Sequence, residues 1–159
     1  MHAPRMMDLL PPIDLVLNDY FESRRAGLSG LRRRRVDTTE LQLRAFLESE
    51  GPSQVCTECQ AVLQLERQFG AENAFARFMF PEALVELLCP FLERPRPTGD
   101  IEQRRVEVRL IEGLARYLDD YRLFDRRELA LPFLQLMSAV YRTKRTLHRT
   151  RTESGRQAR

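Results

Sequence analysis

No apolar run in this 159-residue chain approaches the roughly 18 residues that a membrane-spanning helix needs. The richest, ALVELLCPFL at 83–92, is interrupted by Glu86. The opening MHAPRMMDLLPP lacks the long apolar centre of a secretory signal, so residues 1–12 read as an N-terminal extension of a cytoplasmic protein. Cysteine is scarce too: three residues, an odd number without a regular framework, which favours a reducing compartment. Seven glycines, most at expected helix ends, leave no glycine-rich phosphate loop. There is no β-branched alternating run of the kind that makes a strand.

Histidine is scarcer still. His2 and His148 are the only two, and Asp119-Asp120, Asp37 and Glu40 have no histidine or cysteine close to them in sequence. General acid–base chemistry needs a group held at a fixed distance from its substrate. His148-x-x-Arg151 sits in a polar basic tail and reads as a coincidence of composition. Asp119-Asp120, Asp37 and Glu40 read as solvated surface. Cys56-x-x-Cys59 has half the spacing of a zinc site, but Cys89, His2 and His148 are scattered and complete no tetrahedron. The pair reads instead as helix surface and small hydrophobe, with Cys59 on an apolar face. The expectation is a protein that is not an enzyme and carries no metal or cofactor.

What the chain does have is helical periodicity. Hydrophobic residues at 43% and charged residues at 31% fit one soluble globular domain. Ile13, Val16, Leu17, Tyr20 and Phe21 recur at helical spacing, with Gly27 as C-cap. Ser29 opens a second helix whose face takes Val36, Leu43, Phe46 and Leu47 and which stops at Gly51-Pro52. A third, from about Ser53 to Phe69, uses Val55, Cys59, Val62 and Leu63. A short helix over 71–79 follows. Pro81 then starts a helix carrying Leu84, Val85, Leu88, Phe91 and Leu92, which Pro90 is expected to kink or shorten.

RPRPTG at 94–99 reads as an internal linker. Asp100 with Gln103 forms a capping-box start for a helix carrying Val106, Leu110, Ile111, Leu114, Tyr117, Leu118 and Tyr121. Asp125 and Glu128 open the last helix, whose face is Leu129, Phe133, Leu136, Met137, Val140 and Tyr141. The fold class is therefore all-α: a compact bundle of five to seven helices over 13–147, followed by a disordered basic tail over 148–159.

Charge is unevenly spread. Of 26 basic residues, Lys144 is the one lysine, a bias that suits genome composition as well as recognition. From Arg142 to Arg159 seven basic residues face a single acid, Glu153. Arg24, Arg25, Arg32, Arg33, Arg34 and Arg35 form a second block without an acid among residues 24–35. Arginines at the first turn of a helix oppose its macrodipole by a few tenths of a kcal/mol each. Two readings compete. The blocks grip an anionic partner, or Asp37, Glu40 and acids elsewhere in the bundle neutralise the first and the second is a solubilising terminus. Membrane attachment is disfavoured, because the tail has no apolar face to insert.

VLNDYFESRRAGLSGLRRRRVDTTELQLRAFLESEG at 16–51 resembles the opening of the core-binding, SAM-like N-terminal domain of tyrosine recombinases and phage integrases. The features shared are Tyr20, the Gly27-Leu28-Ser29 turn, and Leu43-Arg44 with Phe46-Leu47. QRRVEVRLIEGLARYLDD at 103–120 is similar to that family's last core-binding helix through Arg104, Arg105, Leu114, Tyr117 and Leu118. The family's catalytic domain has no counterpart here, and Tyr141 lies on an apolar helix face. The resemblance implies a stand-alone or truncated DNA-clamping module that cannot cut or join DNA. Its phosphate contacts would come from Arg24, Arg25 and Arg32–Arg35 on the body and Arg142, Lys144, Arg145, Arg149 and Arg151 on the arm. The rival expectation is a helical adaptor with a protein partner at an apolar groove around Phe75, Phe78, Phe80 and Leu84.

Overall fold

The computed structural model describes residues 10–96 and 99–157. Among them are seven α-helices and no strand: α1 (Ile13–Arg25), α2 (Gly30–Glu50), α3 (Thr57–Gln68), α4 (Ala74–Phe78), α5 (Pro81–Glu93), α6 (Ile101–Asp120) and α7 (Ala130–Gln157). A short 3-10 turn, Gly51–Gln54, joins α2 to α3. No described helix is long and apolar enough to cross a membrane.

The heptad-like faces read from the sequence meet in one continuous core. It joins Ile13, Tyr20 and Phe21 of α1, Leu43 and Leu47 of α2, Phe75 of α4, Leu84, Leu88 and Phe91 of α5, Ile111 and Leu114 of α6, and Leu136 and Val140 of α7. Elements on both sides of the 94–99 segment share that core. The Ile13 N–H donates to the Met79 carbonyl at 2.9 Å, which fixes the start of α1 against the α4–α5 turn. Between α1 and α2 the chain reverses through Gly27 (φ 74) and Gly30 (φ 56), both left-handed. A side chain there would be strained, which explains a glycine at each end of the GLSG turn. Ser29 occupies the N-cap position of α2 but makes no side-chain cap bond.

Four expectations are corrected. α5 is not shortened at Pro90 and runs on to Glu93. The carbonyl that loses its partner to proline belongs to Glu86, on the exposed side, where water can serve it. α3 starts at Thr57 rather than Ser53 and buries only Leu63, leaving Val62 exposed. Tyr121 and Tyr141 are exposed rather than core. Finally, α7 continues through Gln157 where disorder was expected from residue 148. A helix already nucleated by a docked segment extends without a new nucleation cost and needs no apolar face. Thr150 and Thr152 hydroxyls donate to carbonyls four residues back along this extension. Residues 158–159 and most of the 1–12 extension lie outside the described residues.

Candidate nucleic-acid interface

The first basic block divides according to what each guanidinium can reach. Arg25, at the last turn of α1, pairs with Asp37 (Nε–Oδ1 2.5 Å) and with Glu40. Glu40 also takes Arg44 (2.9 Å), which reaches Asp14 (2.7 Å) and the Asn18 carboxamide oxygen (2.8 Å). These groups form one ion network clamping α1 to α2. Arg25 is therefore spoken for, as the neutralisation reading anticipated. Arg24 lies over the Tyr20 ring, 5.0 Å from its centroid.

Along α2, successive side chains turn by about 100°, so four consecutive arginines fan around most of the helix. Only Arg35 faces α6, where it pairs with Asp100 at 3.3 Å. Arg32, Arg33 and Arg34 are exposed and have no ion-pair partner among the described residues.

The second block divides likewise. Arg142 pairs with Glu93 at 2.8 Å, and Lys144 with Glu112. Arg145, Arg149 and Arg151 are exposed with no ion pair among the described residues. Being helical, the arm carries its charges at a fixed pitch against α6. Between the two helices runs an open cleft of about 520 Å³, lined by Arg105, Arg109, Lys144, His148, Arg151 and the one acid Glu102. Arg105, Arg109 and His148 are additions that sequence reasoning missed. Nothing local in sequence distinguishes α6 arginines that face α7 from those that face α5.

The start of α6 joins the two blocks. Asp100 caps it, accepting from the N–H groups of Glu102 (2.9 Å) and Gln103 (3.2 Å), and its other oxygen holds Arg35. The Gln103 side chain does not complete the expected capping box. It donates instead to the Arg35 carbonyl (3.0 Å) and the Thr39 hydroxyl (3.1 Å), tying α6 to α2. Two residues on, Arg105 donates to the Leu147 carbonyl of α7 at 3.4 Å. Two basic segments more than a hundred residues apart in sequence thus meet within the first turns of one helix.

No family model, curated protein or solved structure matches the chain.

A further basic cluster escaped sequence reasoning. Glu107 of α6 is 0% exposed, and its carboxylate is surrounded by Arg94, Arg96 and Arg104. The same guanidiniums serve the carbonyls of Phe91 and Leu92 that α5 leaves free at its C-terminal end. Burial pushes Arg94 down to about 10; burial, with the Arg104 and Arg94 cations beside it, pushes Arg96 down to about 9. All stay charged at neutral pH, so the cluster is an internal clamp with surplus positive charge. The expected linker, RPRPTG, supplies two of its members, although residues 97–98 lie outside the described residues.

The expected aromatic groove is only partly present. Phe75 and Leu84 are fully buried core residues, whereas Phe78 and Phe80 are partly open and Phe69 is 81% exposed. Phe69 continues a stripe of exposed Val62 and Leu65 along α3.

Proposed function

We propose that this chain is a non-enzymatic DNA-binding module that holds the phosphate backbone through arginines, in the manner of the recombinase core-binding domains that its 16–51 and 103–120 segments resemble. The observation that carries this reading is that Arg32, Arg33 and Arg34 stand exposed and without acidic partners on the first turn of α2, while their neighbours Arg25 and Arg35 are neutralised. Like charges held side by side cost stability unless an anion meets them. The described part of the arm adds Arg145, Arg149 and Arg151. Arg25 and Arg35 act mainly through their contacts inside the bundle, Arg142 and Lys144 pair with Glu93 and Glu112 at its surface, and Arg24 packs over the Tyr20 ring. Contacts of this kind position a protein on a duplex without reading its sequence. A cytoplasmic setting suits the three free thiols.

Titration of duplex DNA binding against salt tests the reading. If Arg32, Arg33, Arg34, Arg145, Arg149 and Arg151 neutralise about six phosphates, log K falls against log[salt] with a slope near −5. Arg32→Gln, Arg33→Gln and Arg34→Gln together reduce that slope by about 3. Absence of binding at low salt overturns the proposal.

The exposed Val62, Leu65 and Phe69 stripe along α3, with Phe78 and Phe80 exposed as well, favours a second reading, a helical adaptor with a protein partner. Under it, duplex DNA does not bind, and concentration-dependent association is abolished by Phe69→Asp with Phe80→Asp.

A further inference from the structure

Cys56 is the N-cap residue of α3, with an extended backbone (φ −62, ψ 160). Its sulfur accepts the Cys59 N–H at 3.4 Å and lies 2.9 Å from the Cys59 sulfur, with which it shares a hydrogen bond. Residues three apart at the start of a helix have Cα atoms about 5–6 Å apart, inside the range a disulfide spans. Cys56 is exposed, and Cys59 behind it is half-buried against the core.

The two thiols differ in the way exchange chemistry requires. Hydrogen bonds from the Cys59 thiol and backbone hold the Cys56 thiol below its usual range, and the positive end of α3 acts in the same sense. The bond to Cys56 raises Cys59. The third cysteine, Cys89, lies on α5 against the Gln135 carbonyl, and burial pushes it up. No group of three or more His, Cys, Asp or Glu among the described residues could hold a metal ion around the pair.

We propose that Cys56 and Cys59 form a redox-active dithiol that reduces small organic disulfides, with Cys56 the attacking and Cys59 the resolving sulfur. Cys56 gives its proton to solvent and the thiolate attacks one sulfur of the disulfide. That S–S bond breaks, and the departing thiolate takes up a proton. A Cys56 mixed disulfide remains. Cys59, deprotonated in turn, attacks the Cys56 sulfur from its adjacent position and expels the second thiol. Two electrons pass from the protein dithiol to the small disulfide, leaving an intramolecular Cys56–Cys59 bond and two small thiols. This chemistry is independent of DNA binding, and uses a face remote in sequence from both arginine blocks.

The test uses the full-length reduced protein and glutathione disulfide, with products trapped by acid and identified by mass spectrometry. Wild type is expected to lose two hydrogens at Cys56 and Cys59 and to accumulate no glutathione adduct there. Cys59→Ser is expected to stop at a stable glutathione adduct on Cys56, and Cys56→Ser to react slowly at Cys59. Iodoacetamide at neutral pH should alkylate Cys56 roughly tenfold faster than Cys89 in the same chain. Cys56→Ser is a surface change and Cys59→Ser a near-isosteric one at a half-buried position, and the far-UV circular dichroism of both should match wild type. The proposal is overturned if the dithiol stays reduced in excess glutathione disulfide, if Cys56 alkylates no faster than Cys89, or if the purified chain carries one zinc ion that blocks both thiols.

Discussion

Replacing Glu107 with alanine removes the single anion that three guanidinium groups surround. The carboxylate is wholly buried, whereas the Arg94, Arg96 and Arg104 side chains retain 20%, 23% and 19% exposure. Removing one partner of a buried ion pair typically costs about 3–5 kcal/mol, because the other charge is left without compensation. Here the arginines keep some access to water and keep their bonds to the Phe91 and Leu92 carbonyls. The lower end, about 3 kcal/mol, is therefore expected. With a urea m-value of roughly 2 kcal/mol/M, the unfolding midpoint falls by about 1.5 M. Glu107→Gln, which preserves shape but not charge, should lose about 2 kcal/mol. Adding Arg96→Gln to it should recover at least about 1 kcal/mol, since one unpaired cation is then gone. Urea denaturation followed by circular dichroism measures all three. A loss below about 1 kcal/mol for Glu107→Ala would refute the view that this carboxylate holds the α5–α6 junction together.

Tyr20 and Gly51 give two further tests. Burial pushes the Tyr20 phenol up to about 12, and its hydroxyl donates to the Leu110 carbonyl at 2.6 Å. Its folded pKa lies above the unfolded value near 10, so its contribution is complete below pH 10 and is lost as pH rises through 12. That contribution is roughly 2–3 kcal/mol. Ultraviolet titration should show a late tyrosine ionisation near pH 12 that Tyr20→Phe removes; absence of that late step in the folded wild type would count against it. At Gly51 the backbone is helical (φ −56), so alanine alone would be welcome there. Its Cβ, however, would lie 2.6 Å from the buried Phe75 ring. Gly51→Ala should therefore lower stability by about 1–3 kcal/mol in thermal or urea unfolding, with no gain from the stiffer backbone.

Element type and position were legible in the sequence because helix information is local. The faces of α1, α2, α5 and α6 recur at three and four residues, and Gly27, Gly51, Pro81 and Asp100 sit at helix boundaries as expected. Where burial is thin the reading slipped. α3 presents an apolar period, yet only Leu63 is covered, so Val62 was assigned to a core it does not join. The last turns of α7 carry no apolar period at all, and periodicity is blind to a helix that extends from an anchored segment.

The candidate site was legible only as composition. Counting charges found two arginine blocks, but an arginine's role depends on which acid stands opposite it across a helix interface. Arg35 meets Asp100, sixty-five positions away, while Arg34 beside it meets no described acid. The Arg94, Arg96, Arg104 and Glu107 cluster was invisible because its members alternate with ordinary surface residues along the chain. By itself, then, the sequence determined an all-helical chain, its breaks and its excess of arginine, all of which follow from local spacing and count. Only the tertiary structure decided which arginines are spent inside the bundle and which face solvent, because pairing is set by the rotation and docking of helices far apart in sequence.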